Sequence, residues 1–288
     1  MIIIKLSGGL GNQMFQYALG LALEQKLNIQ VKYDFSFFQN RKNIHNNILI
    51  HEIFKIDIEV ANNKELYSFV GINIFRVFRK ISKIFNLNNS KYIFEDDQKN
   101  PIILNENLNN CYLDGYWQNW EYFKDYKKEI NKIFTFEPVI SKKFNEIKKK
   151  LLNKKSAIIH FRRGDYKDKK NKKIFYQLGK AYYQEAIQFM RKKNKDLIFY
   201  VFSDEIDFAK DFFTFEKNLV FICINKGKDS YRDMYLMSLS KNIIISNSTF
   251  SWWAAWLGEN KNIIIAPKLW FKQEKKAYNY YLPEWHIV

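Results

Sequence analysis

Two adjacent arginines have the chemistry that is easiest to name in this sequence. Arg162 and Arg163 follow the apolar run 157–161, which is typical of a buried strand, and Gly164 and Asp165 come directly after them. Open parallel sheets bind ligands beyond the carboxyl ends of their strands. A guanidinium group offers forked donors that match two phosphate oxygens at once. The pattern therefore favours a diphosphate clamp over a solvated basic pair. Because adjacent side chains point in different directions, we expect one arginine to serve structure.

Two carboxylates near the arginines have alternative roles. Asp165 fits a general base, and it also fits a residue that only orients Arg162 or His160; no base is needed if the departing phosphate accepts the proton. Asp204 follows the apolar run 197–202. Its carboxylate fits a contact with a guanine edge, and it also fits the N-cap of the helix that follows.

Hydroxyl and carboxamide groups mark a second strand end. Asn247, Ser248 and Thr249 stand between the apolar run 243–245 and a helix-like segment that starts at Phe250. Free amides at a helix start, together with hydroxyls, form a good phosphate pocket. Ser248 or Thr249 would also serve as an ordinary N-cap. Both interpretations can hold together, so the sequence predicts a second phosphate-binding element here.

A glycine-rich turn follows the first apolar run, at 8–13. Gly9 and Gly11 permit a ligand to approach the backbone, although a tight turn alone would need the same glycines. The carboxamides of Asn12 and Gln13 suit hydrogen bonds to a sugar or to an acceptor hydroxyl. The spacing departs from the dinucleotide fingerprint, and no Lys-Ser/Thr pair of a P-loop follows. Hydride transfer and ATP hydrolysis therefore fit poorly.

No metal site is predicted. The four histidines are scattered, and no Asp-x-Asp pattern follows a strand. A solvated turn accounts for the carboxylate cluster Glu95-Asp96-Asp97. Because a basic clamp neutralises a diphosphate by itself, we expect an enzyme that needs neither a metal nor a cofactor.

Short apolar strands alternate with helix-like segments in the second half of the chain. In the first of these helices, Tyr183, Ala186, Ile187 and Met190 fall on one face. The alternation implies right-handed crossovers and a parallel sheet covered on both faces, as in a Rossmann-like domain. The predicted strands are 157–161, 197–202, 219–223, 243–245 and 263–266, and the predicted helices are 178–191, 206–213, 230–239 and 250–257.

The first half is less regular but has the elements of a second Rossmann-like domain. We expect strands at 2–6 and 30–33, an aromatic strand and turn at 112–118, and a helix at 121–134. The charged run 148–155 is predicted to be a linker. The fold class is therefore α/β with two Rossmann-like domains, 1–150 and 151–270, and an active-site cleft between them; the segment 271–288 is expected to pack back on the first domain.

Charge and composition limit the partners. Lys and Arg total 47 against 30 acidic residues, for a formal net charge of +17. Such a balance favours nucleotide phosphates, anionic lipid or nucleic acid, although a composition rich in Lys, Asn and Ile accounts for part of it. No nucleic-acid recognition signature occurs, so nucleic acid is not a predicted partner. The basic amphipathic stretch 74–85 fits peripheral contact with an anionic membrane, and it fits better a helix packed on its own domain.

The two cysteines are far apart and predict no disulfide. The N-terminus shows no signal peptide, and no apolar run is long enough to span a membrane. The expected location is therefore the cytoplasm, with peripheral contact to the inner face of the membrane as an option.

Three motifs stand in order along the chain: GGLGNQMFQYA at 8–18, HFRRGDY at 160–166 and SNSTFSWWAAWLG at 246–258. Together they resemble the bacterial alpha-1,2-fucosyltransferase family, glycosyltransferase family 11, across nearly the whole chain. The resemblance implies a GT-B fold in which the second domain binds GDP-fucose and the first binds the acceptor. It also implies inversion at the anomeric carbon, usually without a metal.

The resemblance implies roles for single residues. Arg162 would contact the donor pyrophosphate, Asn12 would lie close to the transferred sugar, and Asp204 would match a guanine contact less closely. The implied catalytic residues are Arg162, Asp165 and Asn12, and the implied donor-binding residues are Gly9, Gly11, Gln13, His160, Arg163, Asp204, Asn247, Ser248, Thr249 and Phe250.

The implied reaction is transfer of L-fucose to the 2-hydroxyl of a terminal β-galactoside in lipopolysaccharide or a similar surface glycan. A transferase for another GDP-sugar would keep the clamp and change the sugar contacts. A sugar-binding module without activity and a basic nucleic-acid-binding protein are further alternatives, and the complete motif set argues against both. The sequence identifies neither the acceptor glycan nor the oligomeric state.

Overall fold

The computed structural model describes residues 1–38, 49–70, 92–96, 104–105, 108–164, 168–169, 171–273, 275 and 278–288. The chain divides into two compact units. The first consists of Met1–Thr135 with Lys275–Tyr280, and the second of Phe136–Glu274 with Tyr281–Val288. Both are α/β units with parallel sheets, as the sequence predicts.

The first unit contains a four-stranded parallel sheet in the order β2-β1-β4-β3. Its central strand reads Ile2-Ile3-Ile4, and all three side chains are fully buried, because helices cover both faces of such a sheet. The elements are β1 (Ile2–Lys5), α1 (Leu10–Leu27), β2 (Val31–Asp34), α2 (Leu49–Phe54), α3 (Asn63–Val70), β3 (Tyr92–Phe94), β4 (Cys111–Asp114) and α4 (Lys127–Ile133).

The second unit contains a six-stranded parallel sheet in the order β10-β9-β8-β5-β6-β7. Its strands are β5 (Ser156–Phe161), β6 (Ile198–Ser203), β7 (Leu219–Ile222), β8 (Asn242–Ile244), β9 (Ile263–Ala266) and β10 (His286–Ile287). Its helices are α5 (Lys142–Leu151), α6 (Lys180–Lys193), α7 (Ile206–Phe212), α8 (Tyr231–Leu239) and α9 (Thr249–Leu257).

The core of the second unit forms where the periodicity predicts it. On α6, the side chains of Tyr183, Ala186, Ile187 and Met190 are buried, as their helical spacing requires. The tryptophans at the start of α9 are buried as well. The apolar face of α6 shares one core with residues of β5, β6, β8 and β9.

The unit boundary differs from the predicted one. It falls between Thr135 and Phe136, and the charged run 148–155 is not a linker, because α5 continues to Leu151. Lys142, Lys143, Lys149 and Lys150 of α5 are exposed, whereas Phe144, Ile147 and Leu151 are buried. The run was predicted to be a linker because its sequence is highly charged, but its first residues form the last turn of α5.

Two other predictions are correct in part. Within 121–134, two short 3-10 turns precede α4, so only Lys127–Ile133 is α-helical. The C-terminal segment is divided, because Lys275–Tyr280 belongs to the first unit whereas Tyr281–Val288 belongs to the second. The amphipathic stretch 74–85 lies outside the described residues. Among the helices that are described, none is long and apolar enough to cross a membrane.

Candidate active site

The second sheet has a topological switch point between β5 and β8. The chain runs outward from β5 through β6 to β7, and it then returns to β8 on the other side of β5. Connections on opposite sides leave a crevice beyond the carboxyl ends of these two strands, where ligands bind in open α/β sheets. Arg162 follows β5 directly, and the junction 246–250 follows β8. Two of the three sequence motifs therefore meet at this switch point.

A hydrogen bond between the two motifs spans the switch point. His160 Nδ1 lies 2.8 Å from Ser246 Oγ, and the hydroxyl of Tyr183 donates to the His160 carbonyl oxygen at 3.3 Å. Burial, with Arg162 nearby, lowers the pKa of His160 to about 3, so the imidazole is neutral. His160 therefore braces the crevice through contacts within the protein, and its place among the donor-binding residues stays a prediction.

Arg162 is held by Asp204 at the end of β6. Its Nη1 lies 2.8 Å from Asp204 Oδ2, and Asp204 Oδ1 accepts a hydrogen bond from the backbone N–H of Arg163 at 3.0 Å. A Cβ at Gly164 would lie 2.4 Å from Asp204 Oδ2, which explains the glycine. Asp204 does not cap α7, because Glu205 occupies that N-cap position. Asp204 thus orients the arginine pair.

Arg163 makes structural contacts. Its Nη1 lies 2.7 Å from Glu205 Oε2, and its guanidinium carbon lies 3.4 Å above the ring centroid of Phe208. Stacking and a carboxylate partner fix a guanidinium in place. Of the two arginines, the one expected to serve structure is therefore Arg163, whereas Arg162 lies at the crevice.

The start of α9 provides backbone amides at the same crevice. Ser248 is the N-cap, and its Oγ accepts from the Phe250 N–H at 3.3 Å. Thr249 and Phe250 are half-buried. The predicted cap is confirmed, and the phosphate pocket stays a prediction that the anion preference of a helix N-terminus supports.

Asn247 has a structural position that differs from the predicted one. It is 2% exposed, and its Nδ2 donates to the carbonyl oxygens of Tyr176 at 2.8 Å and Trp270 at 2.9 Å. These carbonyls belong to the loops that follow β5 and β9. Asn247 thus ties these loops together, and its part in donor binding stays a prediction.

Sequence reasoning missed an acidic group at the same edge of the sheet. Asp233 lies in the first turn of α8, and its Oδ1 accepts from Asn225 Nδ2 at 2.6 Å. Burial raises the pKa of Asp233 to about 7. No motif marks this residue, and the only sequence signal is an acid near a helix start that follows a strand. Asp165 lies outside the described residues.

The first sheet has its own switch point, between β1 and β4. The glycine-rich turn follows β1, and Gly8 has φ +77, which favours glycine. A Cβ at Gly8 would lie 2.4 Å from Asn12 Nδ2. Gly9 is the N-cap of α1, and Gly11 is buried in the first helical turn. The turn therefore brings its backbone close to Asn12.

A chain of hydrogen bonds orients the carboxamide of Asn12. Gln118 Nε2 donates to Asn12 Oδ1 at 2.8 Å, and the hydroxyl of Tyr280 donates to Gln118 Oε1. Gln118 and Tyr280 are both buried. Because Asn12 Oδ1 accepts from Gln118, the orientation of the whole Asn12 amide is fixed. The sequence does not reveal this link, since its members are distant along the chain.

Gln13 and Gln16 support the turn from inside. Both are fully buried. Gln13 Oε1 accepts from the backbone N–H of Leu49 at 2.9 Å, and Gln16 Nε2 donates to the Gly115 carbonyl oxygen at 2.8 Å. Gln13 thus supports the start of α2, and its part in donor binding stays a prediction. Gln16, which the sequence analysis missed, connects the turns after β1 and β4.

Within the described residues, no group of three or more metal-binding side chains comes together. Glu95 was expected in a solvated turn, but it is buried and accepts from the backbone N–H of Tyr116 at 2.6 Å and of Trp117 at 3.0 Å. Its role is to hold the turn after β4.

Comparison with known proteins identifies the family. A model of glycosyl transferase family 11 matches residues 1–288. The chain belongs to glycosyl transferase family 11. An alpha-1,2-colitosyltransferase of Escherichia coli is 33% identical over 282 residues, which cover 95% of this chain and 93% of that protein. The O-antigen biosynthesis glycosyltransferase WbnK of Escherichia coli is 31% identical over 304 residues, which cover 94% and 95%. The resemblance stated from the three motifs is confirmed.

More distant proteins also match this family 11 glycosyltransferase. Galactoside alpha-(1,2)-fucosyltransferase 1 of Aotus azarae is 24% identical over 186 residues, which cover 60% of this chain and 51% of that protein. Among solved structures, fucosyltransferase NodZ from Bradyrhizobium aligns with a TM-score of 0.46 at 14% identity, covering 89% of this chain and 92% of that one. The heptosyltransferase II of Escherichia coli aligns with a TM-score of 0.45 at 12% identity, covering 100% and 89%.

Proposed function

We propose that this glycosyltransferase transfers L-fucose from GDP-β-L-fucose to the 2-hydroxyl of a terminal β-galactoside in a surface glycan, with inversion at the anomeric carbon. The observation that carries the proposal is the switch point between β5 and β8. There Arg162 and the N-terminus of α9 flank one crevice, and the bond between His160 and Ser246 joins its two sides at 2.8 Å. A fork of cationic donors beside the positive end of a helix suits the two phosphates of a sugar nucleotide.

The proposed reaction breaks the bond between the anomeric carbon and the β-phosphate oxygen. The acceptor oxygen attacks from the opposite face and forms the new glycosidic bond, and GDP leaves with the bonding electron pair. Negative charge grows on the diphosphate, so donors placed there stabilise the transition state more than the ground state. Arg162 and the positive dipole end of α9 supply that stabilisation. The acceptor proton passes to Asp165 or to the departing phosphate.

The guanine base fits best near Asp233. Asp204, the contact proposed from sequence, already binds Arg162. Asp233 lies in the first turn of the helix that follows β7, at the same edge of the sheet as the arginine clamp. Its Oδ1 accepts from Asn225, so its second oxygen would accept from the N1–H or the amino group of guanine.

Asn12 is proposed to bind the transferred sugar or the attacking hydroxyl. Its amide is oriented by Gln118 at 2.8 Å, so its donor and acceptor face fixed directions. A carboxamide in a fixed orientation selects a hydroxyl by hydrogen-bond geometry. Because the amide is uncharged, it does not attract a phosphate by charge. The acceptor is proposed to be a lipopolysaccharide precursor in the cytoplasm, which the name of the O-antigen relative supports.

The linkage has broader support than the donor sugar. The names of the bacterial colitosyltransferase and the primate fucosyltransferase both specify an α-1,2 linkage. Colitose is L-fucose without its 3-hydroxyl, and the colitosyltransferase is 33% identical to this chain. GDP-colitose is therefore the second candidate donor, and both donors would use the same diphosphate clamp.

A transfer assay tests the proposal. The enzyme is incubated with lactose and either GDP-fucose or GDP-colitose, with and without EDTA, and the linkage of the product is determined. We expect fucose on the galactose 2-hydroxyl, at a rate that EDTA leaves unchanged. Faster transfer from GDP-colitose would mean that GDP-colitose is the donor, and the proposed linkage would stand. If neither nucleotide is bound or consumed, the proposed donor site is wrong.

A further inference from the structure

The amino edge of the second sheet is strongly basic. Strands β5 to β9 are parallel, so the segments that precede them share one edge. The Ile198 N–H donates to the Lys155 carbonyl oxygen at 2.8 Å, and the Asn262 N–H donates to the Lys241 carbonyl oxygen at 2.8 Å. These bonds place neighbouring segments side by side. This amino edge comprises the segments 149–155, 191–197, 216–218, 240–241 and 259–262.

Most of the charge on the amino edge faces solvent. Three acids oppose the cations there, and two of them are paired, Asp196 with Lys155 at 3.0 Å and Glu216 with Arg191 at 2.8 Å. Lys261 is held inside, because its Nζ donates to the carbonyl oxygens of Ser238 and Ser240. Nine exposed lysines form the remaining surface: Lys149, Lys150, Lys154, Lys155, Lys192, Lys193, Lys195, Lys217 and Lys241.

Helix dipoles explain only some of these lysines. Lys149 and Lys150 end α5, and Lys192 and Lys193 end α6, where cations favour the negative end of a helix. Lysines such as Lys154 in the preceding loops have no such reason. Lys154, Lys241 and Lys261 line one open pocket of about 340 Å³ together with three asparagines and no acid. The edge therefore concentrates positive charge beyond what its helices require.

Aliphatic side chains lie among the exposed lysines. Leu152 is 57% exposed and Ile198 is 40% exposed. Lysine stems with exposed aliphatics suit a phospholipid surface, where ammonium groups meet phosphates and apolar groups enter the interface. On these five described segments, no exposed aromatic side chain is available to stack on a base. The chemistry thus favours a membrane over nucleic acid.

We propose that the amino edge of the second sheet docks on an anionic phospholipid surface. The edge is separated from the carboxyl edge, with its arginine clamp, by the length of β5, which is about 20 Å. Docking therefore leaves the crevice between β5 and β8 directed away from the lipid. This proposal is independent of the donor and the acceptor.

Vesicle sedimentation tests the proposal. The full chain is mixed with phosphatidylcholine vesicles that contain or lack phosphatidylglycerol, at low salt and at about 0.5 M salt. The test variant is Lys154→Glu/Lys195→Glu/Lys241→Glu. The matched control is Lys64→Glu/Lys128→Glu/Lys132→Glu, three exposed lysines of the first unit with the same change in net charge.

We expect binding that requires phosphatidylglycerol and is lost at high salt. The edge variant should bind about tenfold more weakly or worse, and the control should bind like the wild type, with thermal melting showing that both are folded. Equal losses in both variants would mean that net charge alone causes binding, and binding that ignores phosphatidylglycerol would overturn the proposal. Tighter binding to duplex RNA or DNA than to the vesicles would also overturn it.

Discussion

The two sheets place different chemistry at the same topological position. In the second unit, the switch point between β5 and β8 has charged groups at its surface, because Arg162 and Arg163 pair with Asp204 and Glu205. In the first unit, the switch point between β1 and β4 presents glycines and the carboxamide of Asn12. A parallel sheet thus determines where a ligand binds, and the turn residues determine which ligand it is.

The two carboxylates near the first switch point are buried, and both accept hydrogen bonds. Asp114 accepts from Tyr92 at 2.7 Å and from Lys5 at 3.1 Å, and Asp34 accepts from Tyr112 at 2.5 Å. Such carboxylates hold strands together and leave neutral groups at the turn. The difference supports a division of labour, in which the second unit binds the charged leaving group and the first orients hydroxyls.

Removing the guanidinium of Arg162 should have the largest effect. We expect Arg162→Ala to lower the rate of transfer about a hundredfold or more, or about 3 kcal/mol, because the leaving diphosphate loses its charged partner. GDP affinity, measured by titration calorimetry, should fall as well. Arg162→Lys should recover part of the loss, since it keeps the charge without the fork. Lys210→Ala, on α7, is the control; near-normal turnover in Arg162→Ala would contradict the clamp.

Asp233, in the second unit, should make the stability of the protein depend on pH. Its pKa is raised to about 7 from the ordinary 3.8, so the folded protein holds a proton that the unfolded chain releases above about pH 4. Stability is then lost as the pH rises from about 4 to 7. The Asp233→Asn variant has no charge to bury. Its free energy of unfolding should therefore rise by roughly 2 kcal/mol relative to that of the wild type across that pH range. This is half of the full pKa effect, because the residue is only half-buried.

Urea unfolding of both proteins at pH 4.5 and pH 8 measures this difference. A stability difference that is the same at both pH values would show that Asp233 ionises normally in the fold. The first switch point should contribute no such pH dependence, because the side chains of Asn12 and Gln118 do not titrate.

A methyl group at Gly164 should disturb the clamp through Asp204, without contact with Arg162 itself. The added Cβ would lie 2.4 Å from Asp204 Oδ2, so the carboxylate must move and Arg162 loses its support. We expect Gly164→Ala to slow transfer about tenfold. Gly179→Ala is the matched control, because an added Cβ meets nothing within 4 Å there. Equal activity of the two variants would mean that Asp204 does not orient the arginine.

Substitutions near the first switch point should have smaller effects, and these should appear in the transfer rate and not in GDP affinity. Gln118→Leu removes the donor to Asn12 Oδ1, and we expect about fivefold slower transfer with unchanged GDP affinity. Tyr280→Phe keeps the ring, loses only the hydroxyl, and should cost about twofold to threefold. A rise in acceptor KM that parallels the loss would place Asn12 at the acceptor. The division of labour fails if Gln118→Leu weakens GDP binding as much as Arg162→Ala does.

Local patterns predicted what depends on local periodicity. The apolar run of β1 and the buried face of α6 follow directly from their spacing, and the positions of Arg162 and Asn12 follow from strand ends and turns. Partners of polar side chains did not follow. Gln118 and Asn12 are 106 positions apart, and nothing in either local sequence specifies the other. His160 and Asn247 had the residue types of ligands, yet tertiary packing buries them.

Tyr280 has a consequence for how the protein is made. The chain leaves the first unit after Thr135 and returns to it only at Lys275–Tyr280. During synthesis on the ribosome, the whole second sheet up to β9 therefore emerges before the first unit can be completed. A nascent chain that has folded its glycine-rich turn still lacks the hydroxyl that fixes Gln118. The arrangement of Asn12 is thus among the last local structures to form, and a chain released before residue 280 would carry the turn without its support.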